Sequence, residues 1–263
     1  MTDHHLLKII SWNVNGLRAV LKKNFFQTVQ TLDPDILLLQ ETKLQEDQRT
    51  TDMINLDRYS SVWSCATVKK GYSGVVAYTR PEPRKVRTVF DVPEIDQEGR
   101  VIQLDYDSFI LFNIYFPNGQ MSDERLAYKL RFYEWFLRYA RSVRDQGKSL
   151  VITGDFNTAH NEIDLKNPGP NSNRSGFLRI ERDILDRMVQ DGYVDTFRHF
   201  YPDTIKYSWW SYRFNARKNN AGWRIDYVFV TRDLIDKGRI DTAFINNDIL
   251  GSDHCPVGIT IQV

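Results

Sequence analysis

The sequence predicts an α/β fold of two β-sheets packed face to face with helices outside, and three features predict it. Short apolar runs of strand length recur along the whole chain. The first of them is followed by a helix and a second strand, the order of a crossover unit. One long amphipathic segment, residues 122–144, is helical by spacing and long enough to cover a sheet.

The elements follow in order. "LLKIISWN" (6–13) is a short apolar run ending in polar residues, and it reads as a buried strand. Leu17, Val20, Leu21, Phe25, Val29 and Leu32 then recur at three- and four-residue steps, which makes one helical face. Asp33-Pro34-Asp35 stops that helix, and "ILLLQ" (36–40) reads as a fully buried strand. Strands are expected at 59–64, 74–79, 86–89, 101–106 and 109–115, with Asp105-Tyr106-Asp107-Ser108 as a hairpin turn between the last two. In the 122–144 helix Leu126, Leu130, Tyr133, Leu137 and Ala140 form the apolar face. Asp123 and Glu124 suit its N-terminal dipole, and Gly147 follows its end. "SLVITG" (149–154) is another buried strand. A polar loop at 167–176 leads to a helix at 180–190, stopped by Asp191-Gly192. Strands close the chain at 207–210, 225–230, 239–245 and 256–263. Neither a repeat nor a linker interrupts this order, so residues 1–263 are expected to form one α/β domain.

Bulk composition narrows the class. With 263 residues, 41% hydrophobic and 26% charged, the chain can bury a large core. The net charge of +1 means that nucleic-acid contact must come from a local basic patch. The two cysteines, Cys65 and Cys255, exclude a disulfide scaffold and point to a reduced, intracellular location. The N-terminal stretch lacks the pattern of a secretory signal, and no apolar run approaches the roughly 20 residues of a membrane span. His4 and His5 are expected in a mobile terminus, and His160 and His199 in surface or packing roles.

Polar residues at the ends of the apolar runs carry the chemistry. The first strand ends at Asn13 and Asn15, the second at Gln40, Glu41 and Lys43. "FILFNIYFPNG" ends at Tyr115 and Asn118, "LVITGDFN" at Asp155 and Asn157, and the last strand begins after Asp253 and His254. Each alone is a common turn residue or cap; together, on strand ends that can converge, they make one cleft. Glu41, Asp155 and Asp253 are hard oxygen donors, and Asn13 and Asn15 add neutral oxygens. That set suits Mg²⁺ or Mn²⁺ rather than zinc. His254, oriented by a carboxylate, can donate to a phosphoryl oxygen.

In order, "SWNVNGLRA", "LLLQETK", "GYSGVVAY", "EGRVIQLDY", "NIYFPNG", "GDFNTAH", "WWSYR", "GWRIDYVFV" and "GSDHCPV" resemble the motifs of the exonuclease III class of abasic-site endonucleases, within the endonuclease/exonuclease/phosphatase superfamily. The resemblance covers the chain from Lys8 to Val263. It implies a four-layered α/β sandwich, two packed mixed β-sheets flanked by helices. It also implies Mg²⁺-dependent cleavage of double-stranded DNA 5′ to abasic sites, leaving a 3′-hydroxyl and a 5′-deoxyribose phosphate. Side activities on 3′-blocked ends (3′→5′ exonuclease, 3′-phosphatase, 3′-phosphodiesterase) come with it, as do a monomer and a cytoplasmic or nucleoid location.

Carried over residue by residue, the resemblance makes Glu41 the principal metal ligand, with Asn13 and Asp253 close by, directly or through water. Asp155 would orient or deprotonate the attacking water. Asn157, Asn118 and His254 would hold the scissile phosphate, with Asp226 hydrogen-bonded to His254 and Tyr115 by the phosphate or leaving oxygen.

Residues 208–227 interleave Trp209, Trp210, Tyr212 and Trp223 with Arg213, Arg217, Lys218 and Arg224, which suits a phosphate-lined groove with an aromatic wall. Trp210 and Tyr212 are assigned to the core. Trp209, Trp223 and Ile225 match the family's abasic-sugar pocket. Lys69, Lys70 and Tyr72 resemble a backbone-contacting loop. Arg18 and Lys43 match family DNA-contact positions. Met121 stands where some members place an inserted arginine. Two other readings compete: another phosphoesterase of the superfamily, such as an inositol-phosphate phosphatase or a sphingomyelinase, and an inactive DNA-binding scaffold. "GWRIDY" and "WWSY" argue against the first, and the filled catalytic positions against the second.

Overall fold

The structure, a computed structural model, describes residues 6–263; the expectation for His4 and His5 falls outside the described residues. From the N-terminal side, β1 (Leu6–Asn13) leads through α1 (Leu17–Leu21) and α2 (Phe25–Leu32) to β2 (Ile36–Gln40). Then come α3 (Thr51–Ile54), β3 (Ser60–Ser64), β4 (Val75–Thr79), β5 (Lys85–Arg87), α4 (Pro93–Asp96), β6 (Val101–Asp105) and β7 (Ile110–Tyr115). α5 (Asp123–Arg144), β8 (Leu150–Asp155), α6 (Pro168–Asn171), α7 (Arg179–Gln190), β9 (Tyr193–Asp195) and α8 (Thr196–Phe200) follow. β10 (Asp226–Thr231), α9 (Arg232–Asp236), β11 (Ile240–Ile245) and β12 (Val257–Gln262) complete the order.

The strands form two six-stranded sheets, β11-β12-β1-β2-β4-β3 and β5-β6-β7-β8-β10-β9. Both are mixed: β1 runs parallel to β2 and β7 parallel to β8, while their other neighbours run antiparallel. Alternate residues of each strand face opposite layers. Leu38, Val75, Leu111, Val151, Val228 and Ile259 fill the space between the sheets. On the outer face of the first sheet, Ile10 and Leu37 pack under Leu17, Val20, Phe25 and Val29 of α1 and α2. On the outer face of the second, Ile114 and Ile152 pack under Phe132 and Phe136 of α5 and Leu185 of α7. These are the four layers of the expected sandwich. Strands covered on both faces read as continuous apolar runs, as "ILLLQ" does.

Polar side chains fix how the two sheets are aligned. The buried Gln40 amide at the end of β2 donates to Asn113 Oδ1 on β7 at 2.7 Å, and Asn113 Nδ2 donates to the Val76 carbonyl on β4 at 2.9 Å. A buried amide left unpaired would cost about 1–3 kcal/mol, so a slip of one sheet over the other is penalised. The alignment brings six strand ends to one edge. The carboxyl ends of β1, β2, β7 and β8 lie there, with the amino ends of β12, antiparallel to β1, and β10, where Asp226 pairs in register with Asp155.

Several local expectations are corrected. The apolar residues from Leu17 to Leu32 sit on two helices, not one, because the chain leaves helical geometry at Lys22-Lys23-Asn24. Both halves still pack on the first sheet, so the spacing survives the break; nothing apolar holds the Lys-Lys-Asn segment in a helix. On α5 the buried face is Tyr128, Phe132, Phe136 and Ala140, with Tyr133 and Leu137, while Leu126 and Leu130 are only half-buried. The aromatics carry more apolar area and claim the sheet. The strand expected at 86–89 is Lys85–Arg87, with Val89 exposed. Residues 207–210 form single bridges from Trp209 to Trp223 and His254 rather than a strand. The 167–176 loop contains the short α6, and α3, α4, β9, α8 and α9 were too short to carry periodicity.

Phe116, just beyond β7, stacks on Tyr133 at 4.3 Å and lies 4.4 Å from Phe156. Phe116→Ala should destabilise the protein by about 3–5 kcal/mol, read from chemical denaturation at equilibrium; a loss near zero would mean that this aromatic cluster is not packed.

Candidate active site

Asn13 is the pivot of the cleft. Its fully buried amide donates to Glu41 Oε1 at 2.9 Å and to Asp155 Oδ2 at 2.8 Å. Its oxygen accepts from the Asn15 backbone N–H at 2.9 Å. The amide orientation is therefore fixed, since the reverse would set an oxygen against two carboxylates. Glu41 comes from the first sheet and Asp155 from the second. Lys43 Nζ lies 2.9 Å from Glu41 Oε2 and also donates to Asn15 Oδ1. Burial opposes the ionisation of Glu41, but the Lys43 charge and the Asn13 hydrogen bond outweigh it, and its pKa is lowered.

Asp155 is the opposite case. Burial, together with the nearby Asp226 and Glu41 carboxylates, pushes it up to about 7 against the lowering pull of His254. Its Oδ1 accepts from the Asn157 backbone N–H at 2.8 Å. His254 Nδ1 lies 2.8 Å from Asp226 Oδ2, and its Nε2 faces Asp155 at 3.8 Å. Burial alone would lower the imidazole pKa, but Asp226 and Asp155 raise it to about 10. At neutral pH His254 is thus an imidazolium, a donor through both nitrogens. Asp226 is itself held by Ser208, whose hydroxyl donates to Oδ2 at 2.6 Å and accepts from the Ile225 and Asp226 N–H groups.

Asn118 Nδ2 donates to Asn157 Oδ1 at 3.1 Å, and Asn157 Nδ2 to the Phe116 carbonyl at 2.9 Å. The Tyr115 ring packs beneath the Arg100 guanidinium at 4.5 Å, and burial beside Glu41 holds its phenol well above the ordinary value, hence neutral. Asn15, Glu41, Lys43 and Asn157 all have left-handed backbone, φ between 47 and 54. For Glu41 and Lys43 this conformation is unfavourable by roughly 1–2 kcal/mol, and it swings each side chain off its strand into the cleft. Such strain concentrates at functional sites.

Atoms of Glu41, Asp155 and His254 lie within 4.8 Å of one another, the spacing of a cation site. The hard oxygens of that group are the carboxylates of Glu41 and Asp155, the donor type that suits a hard divalent cation. Asp253 stands one step aside, where its carboxylate accepts from Asn15 Nδ2 at 3.0 Å and Trp209 Nε1 at 3.2 Å.

Around the cleft, Trp209, Trp223 and Ile225 join Ala159, Leu165 and Phe177 in a separate apolar cluster, with the two tryptophan rings 6.2 Å apart and perpendicular. Arg18, Lys69 and Lys70 are exposed. Tyr72 is half-buried, and its hydroxyl accepts from Arg100 and Arg125, each at 2.9 Å. Met121 is 87% exposed.

Two basic residues and one aromatic of the 208–227 stretch differ from expectation. Arg217 donates to the Ser252, Asn247 and Ile249 carbonyls and lies over Trp210, so it braces the Asp253 loop instead of reaching for DNA. Arg224 is buried against Asp164 and Asp195. Tyr212, assigned to the core, is 69% exposed, while Trp210 is buried as expected.

Ser208, Arg100 and Lys129 escaped the sequence reading. Ser208 is next to "WW", and Arg100 lies inside "EGRVIQLDY", but only tertiary contact gives either a role. Lys129 sits at the fourth position after Arg125 on a helix, where a lysine ordinarily faces water.

The raised His254 pKa has a direction in stability. Its contribution is fully present below the unfolded value of 6.5 and is lost as pH rises through about 10. In metal-free protein, Asp226→Asn should make the imidazole titrate lower by NMR and flatten the stability loss across that window. An unchanged titration would show that Asp226 does not charge the ring.

The sequence profile of the Endonuclease/Exonuclease/phosphatase family matches residues 10–254. The chain is 46% identical over 259 residues to an exodeoxyribonuclease of Bacillus subtilis (strain 168), spanning 98% of this chain and 100% of that one. It is 41% identical over 259 residues to the DNA repair nuclease APEX1 of Danio rerio, across 98% of this chain and 83% of the relative. Among solved structures, the AP endonuclease LMAP from Leishmania major superposes with a TM-score of 0.85 at 32% identity, covering 98% of this chain and 88% of that one. With the pivot, the imidazolium and the convergent strand ends in place, these likenesses show that the chain belongs to the endonuclease/exonuclease/phosphatase family, on its abasic-site nuclease branch.

Proposed function

We propose that this protein is a Mg²⁺-dependent DNA repair nuclease that hydrolyses the phosphodiester 5′ to abasic sites in duplex DNA. Mn²⁺ would substitute, and 3′→5′ exonuclease and 3′-phosphatase or phosphodiesterase activity on blocked ends would accompany it. The observation that carries the reading is the buried Asn13 bridge. It holds Glu41, low in pKa, beside Asp155, raised toward neutrality, with a charged His254 facing both. Two carboxylates pushed apart in pKa are a division of labour between binding and base.

Glu41, with Asn13 and Asp253 close by, directly or through water, would hold the cation, which leaves Asp155 for the attacking water. When bound, the cation neutralises the phosphate and stabilises the departing 3′-oxygen. His254 donates from Nε2 to a non-bridging phosphate oxygen, and Asn157 and Asn118 donate amide N–H groups to the same phosphate. Asp155 takes the proton of the in-line water as the phosphorus–3′-oxygen bond breaks, general-base help worth roughly 10²–10⁴ in rate. Neutral Tyr115 retains its phenolic proton for the phosphate or the leaving oxygen. Charge placement and alignment dominate such reactions.

Trp209, Trp223 and Ile225 would form an apolar pocket for the baseless sugar, which is the cheapest nucleotide to extrude because no base unstacks. Arg18, Lys43, Lys70 and Tyr72 would contact the DNA backbone. Superfamily members that act on small phosphoesters need no aromatic wall, and the perpendicular Trp209–Trp223 pair beside His254 supports the DNA reading. Action as a monomer belongs to the same reading. No helix of the described residues is long and apolar enough to cross a membrane.

An end-labelled duplex with one abasic-site analogue, incubated with Mg²⁺ or EDTA beside an undamaged control, tests the reaction. One Mg²⁺-dependent cut 5′ to the lesion is expected; an intact duplex with folded protein would refute the reading. Glu41→Gln and Asp253→Asn should raise the Mg²⁺ concentration needed for half-maximal rate with the thermal unfolding unchanged, and normal titration curves would remove both from the metal. Trp209→Ala should loosen abasic selectivity more than it weakens duplex binding. Equal losses would make Trp209 a packing residue.

A further inference from the structure

Lys129 is the one lysine on the buried face of α5, and its side chain is entirely excluded from solvent. Burying a lone ammonium is prohibitive, so a partner must be supplied. Nζ donates to Glu181 Oε1 at 2.6 Å and to the Asn157 backbone carbonyl at 2.7 Å. Glu181, equally buried, also accepts from Ser175 Oγ at 2.8 Å and from the Gly176 and Leu178 N–H groups at 2.6 and 3.1 Å. Gly176 returns the connection: its carbonyl accepts from the Ala159 N–H at 2.8 Å. A methyl at Gly176 would stand 3.1 Å from the Trp223 ring and 3.4 Å from the Asn157 oxygen, and φ is +98. The backbone of Gly176 therefore lies directly between the pocket wall and the phosphate-holding residue.

We infer that the Lys129–Glu181 pair is a positioning device for the proposed reaction, setting Asn157 and Trp223 at a fixed separation so that sugar recognition and phosphate alignment are one event. Neither residue reaches the cleft, so each acts through Asn157 and through Gly176. A hydrophobic pair of similar volume would hold α5 against α7 as well or better. What such a pair could not do is place a donor on the Asn157 carbonyl and an acceptor on the Gly176 N–H. The left-handed backbone of Asn157, φ 51, needs that outside support.

This inference rests on the proposed abasic-site activity, and its test separates the two. Wild type, Lys129→Met/Glu181→Gln, Gly176→Ala and Lys129→Arg are compared for kcat, KM and the ratio of cutting at abasic over base-bearing positions, with thermal unfolding alongside. The neutral double variant and Gly176→Ala should lose kcat by about 10–100-fold with KM within about threefold, and should lose selectivity together with rate. Lys129→Arg, which keeps the charge and the donor, should recover most of both. Folded variants with wild-type kcat, or with reduced kcat and full selectivity, would overturn the proposal. Should the double variant not fold, Gly176→Ala carries the test with the ion pair intact. A wild-type enzyme that leaves the abasic duplex uncut would refute the substrate reading alone. Hydrogen exchange at the Asn157 and Ala159 amides then decides the positioning role, faster in the variants if it holds and unchanged if it does not.

Discussion

One amide stands between two sheets. Asn13 ends a strand of the first sheet and hydrogen-bonds carboxylates contributed by both, Glu41 beside it and Asp155 across the interface. Two carboxylates this close repel, and each would shed its charge by taking up a proton if left alone. The amide gives both a donor and holds them apart at a fixed distance, so the pair persists as a site instead of collapsing or splaying. The geometry of the candidate site depends on the two sheets keeping that alignment. The Gln40–Asn113 hydrogen bond enforces it in the apolar space just behind.

The charges around this amide are sorted by what lies next to them. Lys43 keeps Glu41 ionised from the solvent side. Asp226, fixed by Ser208, keeps His254 protonated from below. Asp155, buried beside that imidazolium and close to the Asp226 and Glu41 carboxylates, is pushed up toward neutrality, opposite to Glu41. Two carboxylates in one cleft thereby take on opposite characters by environment alone, which is the general route by which one fold runs acid and base chemistry near neutrality.

Buried ion pairs recur away from the cleft. Arg224 joins Asp164 and Asp195, Arg100 joins Glu98, and Lys129 joins Glu181. Such pairs add little net stability, because desolvation offsets most of their attraction. Their common feature is location: each ties a loop next to the strand ends to a helix or sheet behind it. Arg100 lies over the Tyr115 ring, Arg224 precedes Ile225 and Asp226, and Lys129 holds Asn157. Directional contacts fix loop geometry in a way that apolar packing, which is tolerant of small slides, does not.

Much of the architecture was written in the sequence by itself. Apolar runs of strand length, the two crossover strands and the long amphipathic helix are local patterns, and local patterns survive without tertiary knowledge. The residues that the structure gathers in the candidate cleft were legible for the same reason, since each is a polar group placed abruptly at the end of an apolar run, as Glu41 after "ILLLQ" and Asp155 after "LVITG". The sequence left undetermined whatever depends on which surfaces meet. The break at Lys22 to Asn24, the rotation of α5 toward its aromatics, the burial of Lys129 and the internal use of Arg217 and Arg224 are decided by the neighbouring layer. Basic residues interleaved with aromatics look alike whether they face DNA or a carboxylate inside the protein. Only the folded chain, by supplying or withholding the partner charge, separates the two.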